Sequence, residues 1–275
     1  MSDKNIGTDF DPSSIGFHTF KEREAMAEKK ELPVYSKAES IISLVFHILG
    51  AAIALTALVV IYCYALRDTI NFSGDGGYGI MGIIAVALVL VGTALLCLSS
   101  ARYHLKSINE KDHHLAKAVN IGLYYFVLGA IFTAYAFIWM RINVTGRITW
   151  RYLGILMMVA MWIVSIFGMV LNFRHDEKDH SPTKVYNYLV AALALWLPVC
   201  HYVILASPVV DIKIALWLVI FAPITLDIGL VFLSEGKNKA GFHTVWHVVS
   251  YLALAEEAVA LFYYSMFVAS QVYSL

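Results

Sequence analysis

The amino-acid sequence predicts an all-α membrane protein, a bundle of seven transmembrane helices with the N-terminus in the cytoplasm and the C-terminus outside. Of the 275 residues, 60% are hydrophobic and 15% are charged, whereas soluble globular proteins average about 45–50% and about 25%. The apolar residues also fall in runs of about 20, the length of helix that crosses the hydrocarbon core of a bilayer. We therefore expect a multi-pass protein of the cell membrane.

The N-terminal residues 1–38 differ in composition from the rest of the chain. They are polar and mixed in charge, without the short apolar core and small-residue cleavage site of a signal peptide. We expect a cytoplasmic tail over 1–38 and one transmembrane domain over 39–275. The formal net charge is zero and there is no basic tract, so no nucleic-acid partner is expected. The three cysteines form no Cys-x-x-Cys pair and are interpreted as small apolar helix residues.

Seven apolar runs follow in order, and each ends where polar residues, glycine or proline interrupt it. The first ends at a Gly-rich loop, the second at a charged loop, the third at a loop with arginines and a glycine, and the fourth at a strongly polar loop. A Ser-Pro pair ends the fifth, and a polar loop ends the sixth. Pro198 is expected to kink the fifth helix, and Pro223 lies inside the sixth run. The runs cover about residues 39–64, 79–104, 116–140, 150–173, 184–206, 211–233 and 242–268.

The distribution of lysine and arginine predicts the orientation of the bundle. When the N-terminus is placed inside, most of these residues fall in the tail and in the loops after the second, fourth and sixth runs. Cytoplasmic loops carry such an excess of positive charge. An odd number of spans then puts the C-terminus outside.

Three histidines are the strongest candidates for a site. His243 and His247 open the seventh run four residues apart, so they share one face of a helix. His104 ends the second run, at the same cytoplasmic depth. Three imidazoles from two helices can supply three ligands of a tetrahedral metal site and leave the fourth position open, which is the catalytic pattern. The alternative for each histidine is an interfacial residue bonded to a carbonyl.

Four other polar residues fall in the cytoplasmic half of the runs and are candidates for the same site. Ser100 lies one turn before His104, either beside the metal or at a helix–helix contact. His47 lies in the first run and Asn120 near the start of the third. Asp227 lies in the sixth run, and because an intramembrane aspartate is costly, it should face either a functional site or a structural partner.

A second group of ionisable residues lies deeper in the membrane. Glu256 and Glu257 are in the middle of the seventh run, and Glu257 shares roughly the face of His243. His201, in the fifth run, is expected at a similar level. A contact between His201 and either glutamate would be a proton relay or a structural pair, and the sequence favours the structural pair.

Three motifs over residues 33–275 resemble the hemolysin III branch of the progestin and adipoQ receptor (PAQR) superfamily, which is related more distantly to the alkaline ceramidases. The first motif runs from Tyr35 to Gly50 and contains Glu39, Ser43 and His47. The second is Ser-Ser-Ala-Arg-Tyr-His-Leu at 99–105. The third is His-x-x-x-His at 243–247.

The resemblance implies a seven-span fold with the N-terminus inside, zinc as the metal, His104, His243 and His247 as its ligands, and Ser100 beside it. Two departures from the family pattern bear on activity. Ser43 replaces an asparagine of the first motif, and Asn120 replaces an aspartate at the start of the third span. An amide can bind water, but it cannot accept a proton as a general base.

These observations leave three functions open. The first is a zinc-dependent hydrolase of a membrane lipid amide or ester, in which Asp227 or His47 replaces the missing carboxylate and Ser100 and Asn120 contribute hydrogen bonds. The second is a non-enzymatic membrane sensor or homeostasis protein with a structural or regulatory zinc. The third, ranked lowest, is a pore-forming cytolysin. The expected partner is a membrane lipid, as substrate or ligand.

Overall fold

The computed structural model describes ten stretches of the chain, and every described residue except Ser36, Lys239 and Gly241 is helical. The all-α prediction is confirmed for these residues. The N-terminal tail through residue 35, Pro198, Cys200 and His201 lie outside the described residues. The described stretches are 36–69, 78–109, 114–141, 148–174, 187, 189–197, 199, 213–235, 239 and 241–272.

The helices match the predicted apolar runs. Six of them are long and apolar enough to cross a membrane, which supports a multi-pass membrane protein. Pro223 lies inside its helix, as expected from the sequence. In chain order the helices are α1 (Lys37–Thr69), α2 (Tyr78–Asn109), α3 (His114–Arg141), α4 (Ile148–Arg174), α5 (residues 189–197), α6 (Lys213–Glu235) and α7 (Phe242–Val272).

Helix α7 lies at the centre of the described packing. Helices adjacent in the chain pack together as α1 with α2, α2 with α3, α3 with α4, and α6 with α7. Helix α7 also contacts α1, α2 and α3. Large apolar side chains point outward, among them Ile53 (69% exposed) and Leu156 (64% exposed). Such exposure would be unfavourable in water, but it is expected for a surface that contacts lipid.

A polar stripe on α1 sets the register between α1 and α7. Its three side chains are spaced by four residues, so they lie on one face of the helix. Each one contacts α7 or the residue before it: the Glu39 carboxylate accepts the Gly241 N–H at 3.1 Å, Ser43 Oγ lies 3.1 Å from Thr244 Oγ1, and His47 bonds to the Tyr251 hydroxyl. The Glu39 contact satisfies a backbone donor at the start of α7, where helices leave N–H groups without an internal partner.

Gly50 allows α1 to approach its neighbours closely, one turn after His47. A Cβ atom at Gly50 would lie 3.0 Å from the Cys97 sulfur of α2 and 3.5 Å from the Tyr251 ring of α7. A larger side chain would therefore push α1 away from both helices. The close contact at this glycine helps to place His47 against the histidines of α2 and α7.

Candidate metal centre

Four imidazoles from three helices meet inside the bundle. His47 comes from the first half of α1, His104 from the last turns of α2, and His243 and His247 from the first turns of α7. All four are buried, and His47 and His104 have no exposed surface. The predicted convergence of His104, His243 and His247 is therefore present in the structure, with His47 as an additional member.

The distances place His247 in contact with the other three rings. His247 Nε2 lies 3.1 Å from His104 Nε2 and 2.9 Å from His243 Nε2. One ring nitrogen each from His47, His104 and His247 also lies within 4.8 Å of the others. The centroid of the His47 ring is 4.3 Å from that of His247 and 5.1 Å from that of His104. We call these four residues the imidazole cluster.

The chemistry of the imidazole cluster fits a metal ion. A ring nitrogen carries either a hydrogen or a lone pair, so His247 Nε2 cannot donate to one neighbour and accept from another. A cation that takes several lone pairs at once resolves this conflict. Imidazole nitrogens suit zinc, copper, iron and nickel, and at least three buried histidines are close enough to hold such an ion.

Two hydrogen-bonding atoms beside the cluster are paired with each other. Ser100 Oγ donates to Asn120 Oδ1 at 2.6 Å. Ser100 lies one turn before His104 on α2, so this pair lies next to the cluster and joins α2 to α3. The structure thus joins by a hydrogen bond two residues that the sequence analysis assigned to the same site.

Asp227 and Glu257 take part in other contacts. Asp227 Oδ2 accepts a hydrogen bond from Trp196 Nε1 at 3.0 Å, which links α6 to α5. This is the contact expected of a structural pair. Glu257 is fully buried and accepts a hydrogen bond from the Tyr135 hydroxyl of α3. It lies ten residues after His247, about 15 Å along the helix axis, so it belongs to a separate polar contact.

Sequence reasoning missed Tyr251, which binds His47 from the face of α7 that carries His247. The four-residue spacing of His243, His247 and Tyr251 was visible in the sequence, as was that of Glu39, Ser43 and His47 on α1. If the two series are placed on helix faces that pack against each other, Tyr251 of α7 is predicted to contact α1. Tyrosine is common at membrane interfaces, and this made its role in the interior harder to recognise.

Comparisons with known proteins do not assign a family to this chain. No protein-family model matches it, and no curated protein matches it either. The resemblance to the hemolysin III branch therefore rests on the three motifs and on the histidines that they contain.

Proposed function

We propose that this chain is a seven-span zinc protein of the cell membrane, of the hemolysin III/PAQR type, in which the ion has a structural or regulatory role in a non-enzymatic sensor or homeostasis protein. One observation carries the proposal: the buried imidazoles of His47, His104 and His247 have ring nitrogens within 4.8 Å of one another, with His243 2.9 Å from His247. In this proposal the N-terminus is cytoplasmic, and α5 is part of the fifth of the seven spans.

The neighbours of the cluster favour a non-enzymatic role over hydrolysis. A zinc hydrolase needs a group that accepts a proton from the attacking water. Asn120 is an amide bonded to Ser100, and the Asp227 carboxylate is bonded to Trp196 on another helix. His47, the remaining candidate, faces the other imidazoles and is bonded to Tyr251. Each replacement for the missing carboxylate is thus engaged in another contact.

The metal content of the purified protein tests the proposal directly. We expect about one zinc per chain after purification in detergent without added metal, because several imidazoles in one buried pocket bind zinc strongly. Inductively coupled plasma mass spectrometry gives the stoichiometry. A His180→Ala variant is the matched control, since His180 lies in a polar loop of the sequence, and it should keep its zinc. Well-folded protein that contains no zinc and takes up none on addition would contradict the proposal.

The Ser100–Asn120 pair supports hydrolysis of a lipid amide or ester as a second candidate. The pair lies beside the cluster and could hold a water or a lipid carbonyl by hydrogen bonds. A zinc ion, when bound, would polarise that carbonyl. No observation on the described residues specifically favours the third candidate, a pore-forming cytolysin.

The variant Asn120→Asp separates the first two candidates. If the protein is non-enzymatic, restoring the carboxylate should leave zinc bound and release no fatty acid above the rate of empty vesicles. The measurement is mass spectrometry of free fatty acid released from phosphatidylcholine vesicles that contain a ceramide. Asn172→Asp is the control, because Asn172 is an amide of α4 that bonds to Asn187. Fatty-acid release by Asn120→Asp but not by Asn172→Asp would make the protein a hydrolase scaffold.

A further inference from the structure

The imidazole cluster contains one histidine more than the three that the motif resemblance assigns to zinc. We infer that His47 Nε2 is a fourth protein ligand, so that the metal has four imidazoles around it, and that Tyr251 is the positioning residue for His47. This inference rests on the proposed function, because it requires a metal ion in the cluster. It differs from the site that the motif resemblance implies in the number of protein ligands, and therefore in whether the metal keeps an open position.

Two nitrogen–nitrogen distances in the cluster are close to those around a tetrahedral ion. Zinc binds imidazole nitrogen at about 2.0–2.1 Å, which separates two ligand nitrogens by about 3.3 Å in a tetrahedron. The Nε2 pairs at 3.1 and 2.9 Å are close to this value. The His47 ring is as near to His247, at 4.3 Å between centroids, as the His243 ring, at 4.4 Å. His47 is therefore as close to His247 as His243 is, measured between ring centroids, and one of its ring nitrogens lies within 4.8 Å of ring nitrogens of His104 and His247.

The two nitrogens of His47 have different environments. Nδ1 is hydrogen-bonded to the Tyr251 hydroxyl. Nε2 is buried and has no hydrogen-bond partner among the described residues. Metal-binding histidines are usually held in this way, with one nitrogen on the ion and the other bonded to a group that orients the ring. A purely structural histidine would leave this buried polar atom unsatisfied, which is unfavourable.

A fourth imidazole changes what the centre can do. Three protein ligands leave a position for water or substrate, whereas four close the site. The position that the family resemblance would leave open is then occupied by His47. This closed set supports a structural or regulatory zinc, and it joins α1 to α2 and α7 through the ion.

X-ray absorption spectroscopy of the zinc protein counts the imidazoles. We expect four in the unaltered protein and three, with one oxygen ligand, in His47→Ala. His47→Gln serves as a second variant in case His47→Ala does not fold, because glutamine retains bulk and polarity at this position. In the cobalt-substituted protein, the visible absorption should shift when His47 is replaced.

Tyr251→Phe tests the positioning role separately. It should retain four imidazoles but weaken zinc binding by about 10- to 100-fold, as loss of a group that orients a ligand does. Tyr135→Phe is the control, because the Tyr135 hydroxyl bonds to Glu257; it should leave zinc affinity unchanged. Competition with a chelator measures the affinity.

The outcomes separate this inference from the proposed function. Absence of zinc from folded, unaltered protein overturns both. A second outcome is one zinc with three imidazoles and with spectra that do not change in His47→Ala or His47→Gln. It would overturn the assignment of His47 as a fourth ligand but keep the zinc site. Four imidazoles with equal zinc affinity in Tyr251→Phe and the unaltered protein overturns the role of Tyr251 alone.

Discussion

His247→Ala is expected to lower zinc affinity by more than about 100-fold, since loss of a group that merely orients a ligand already costs about 10- to 100-fold. His247 is the residue that the other three histidines surround, with nitrogen contacts to His104 and His243 and a ring contact to His47. Its removal therefore takes away the centre of the cluster. Chelator competition and metal analysis give the affinity and the stoichiometry.

Thermal unfolding in detergent provides an independent readout of the same change. A ligand that binds only the folded state raises the unfolding temperature, so a chelator should lower it in the unaltered protein. In His247→Ala, zinc and chelator should both have little effect. Asp227→Asn is the control, because Asp227 bonds to Trp196, and it should keep zinc and its response to chelator. Retention of zinc by His247→Ala would contradict the assignment of the cluster as a metal centre.

Gly168→Ala is expected to destabilise the bundle by about 1–3 kcal/mol, the usual cost of adding a methyl group to a well-packed core. A Cβ atom at Gly168 of α4 would lie 2.4 Å from two ring atoms of Tyr125 on α3. Tyr125 is 3% exposed, and its hydroxyl donates to Asn187. The Tyr125 ring therefore lies between the Gly168 backbone and its partner Asn187. Helices α3 and α4 must separate to make room for the added methyl group.

Gly122→Ala is the matched control for this prediction. Gly122 lies on α3 and faces α4, but its nearest contact for an added Cβ is an ordinary 3.5 Å, to Phe173. Alanine also has a higher helix propensity than glycine, so Gly122→Ala should be neutral or stabilising. The fraction of monomer that survives heating, measured by size-exclusion chromatography, compares the two variants. Equal survival would show that α3 and α4 do not pack as described.

The positions of the helices along the chain were predictable from the sequence. The predicted runs 79–104 and 242–268 correspond to Tyr78–Asn109 and Phe242–Val272. This agreement arises because the length of an apolar run reflects the length of helix that lies in the hydrocarbon core of the bilayer. The same reasoning predicted that His104, His243 and His247 share one depth, and in the structure they lie together.

The partners of individual side chains were not predictable in the same way. The sequence analysis offered Asp227, with His47 as the alternative, as the replacement for a carboxylate. The structure places His47 against the other imidazoles and Asp227 against Trp196. Both residues lie at suitable depths, but depth does not determine which way a helix faces. Rotation about the helix axis depends on packing against the neighbouring helices.

The sequence by itself determined the membrane class of the protein, the approximate bounds of its long helices and the expected depth of its histidines, because hydropathy reflects position along the membrane normal. Tertiary structure alone decided how many imidazoles meet and what surrounds them. Gly50 brings α1 against α2 and α7, and the stripe of Glu39, Ser43 and His47 aligns α1 with α7. Side-chain contacts between helices far apart in the chain produce this arrangement. The period of the sequence shows which residues share a helix face, but it does not determine which faces meet.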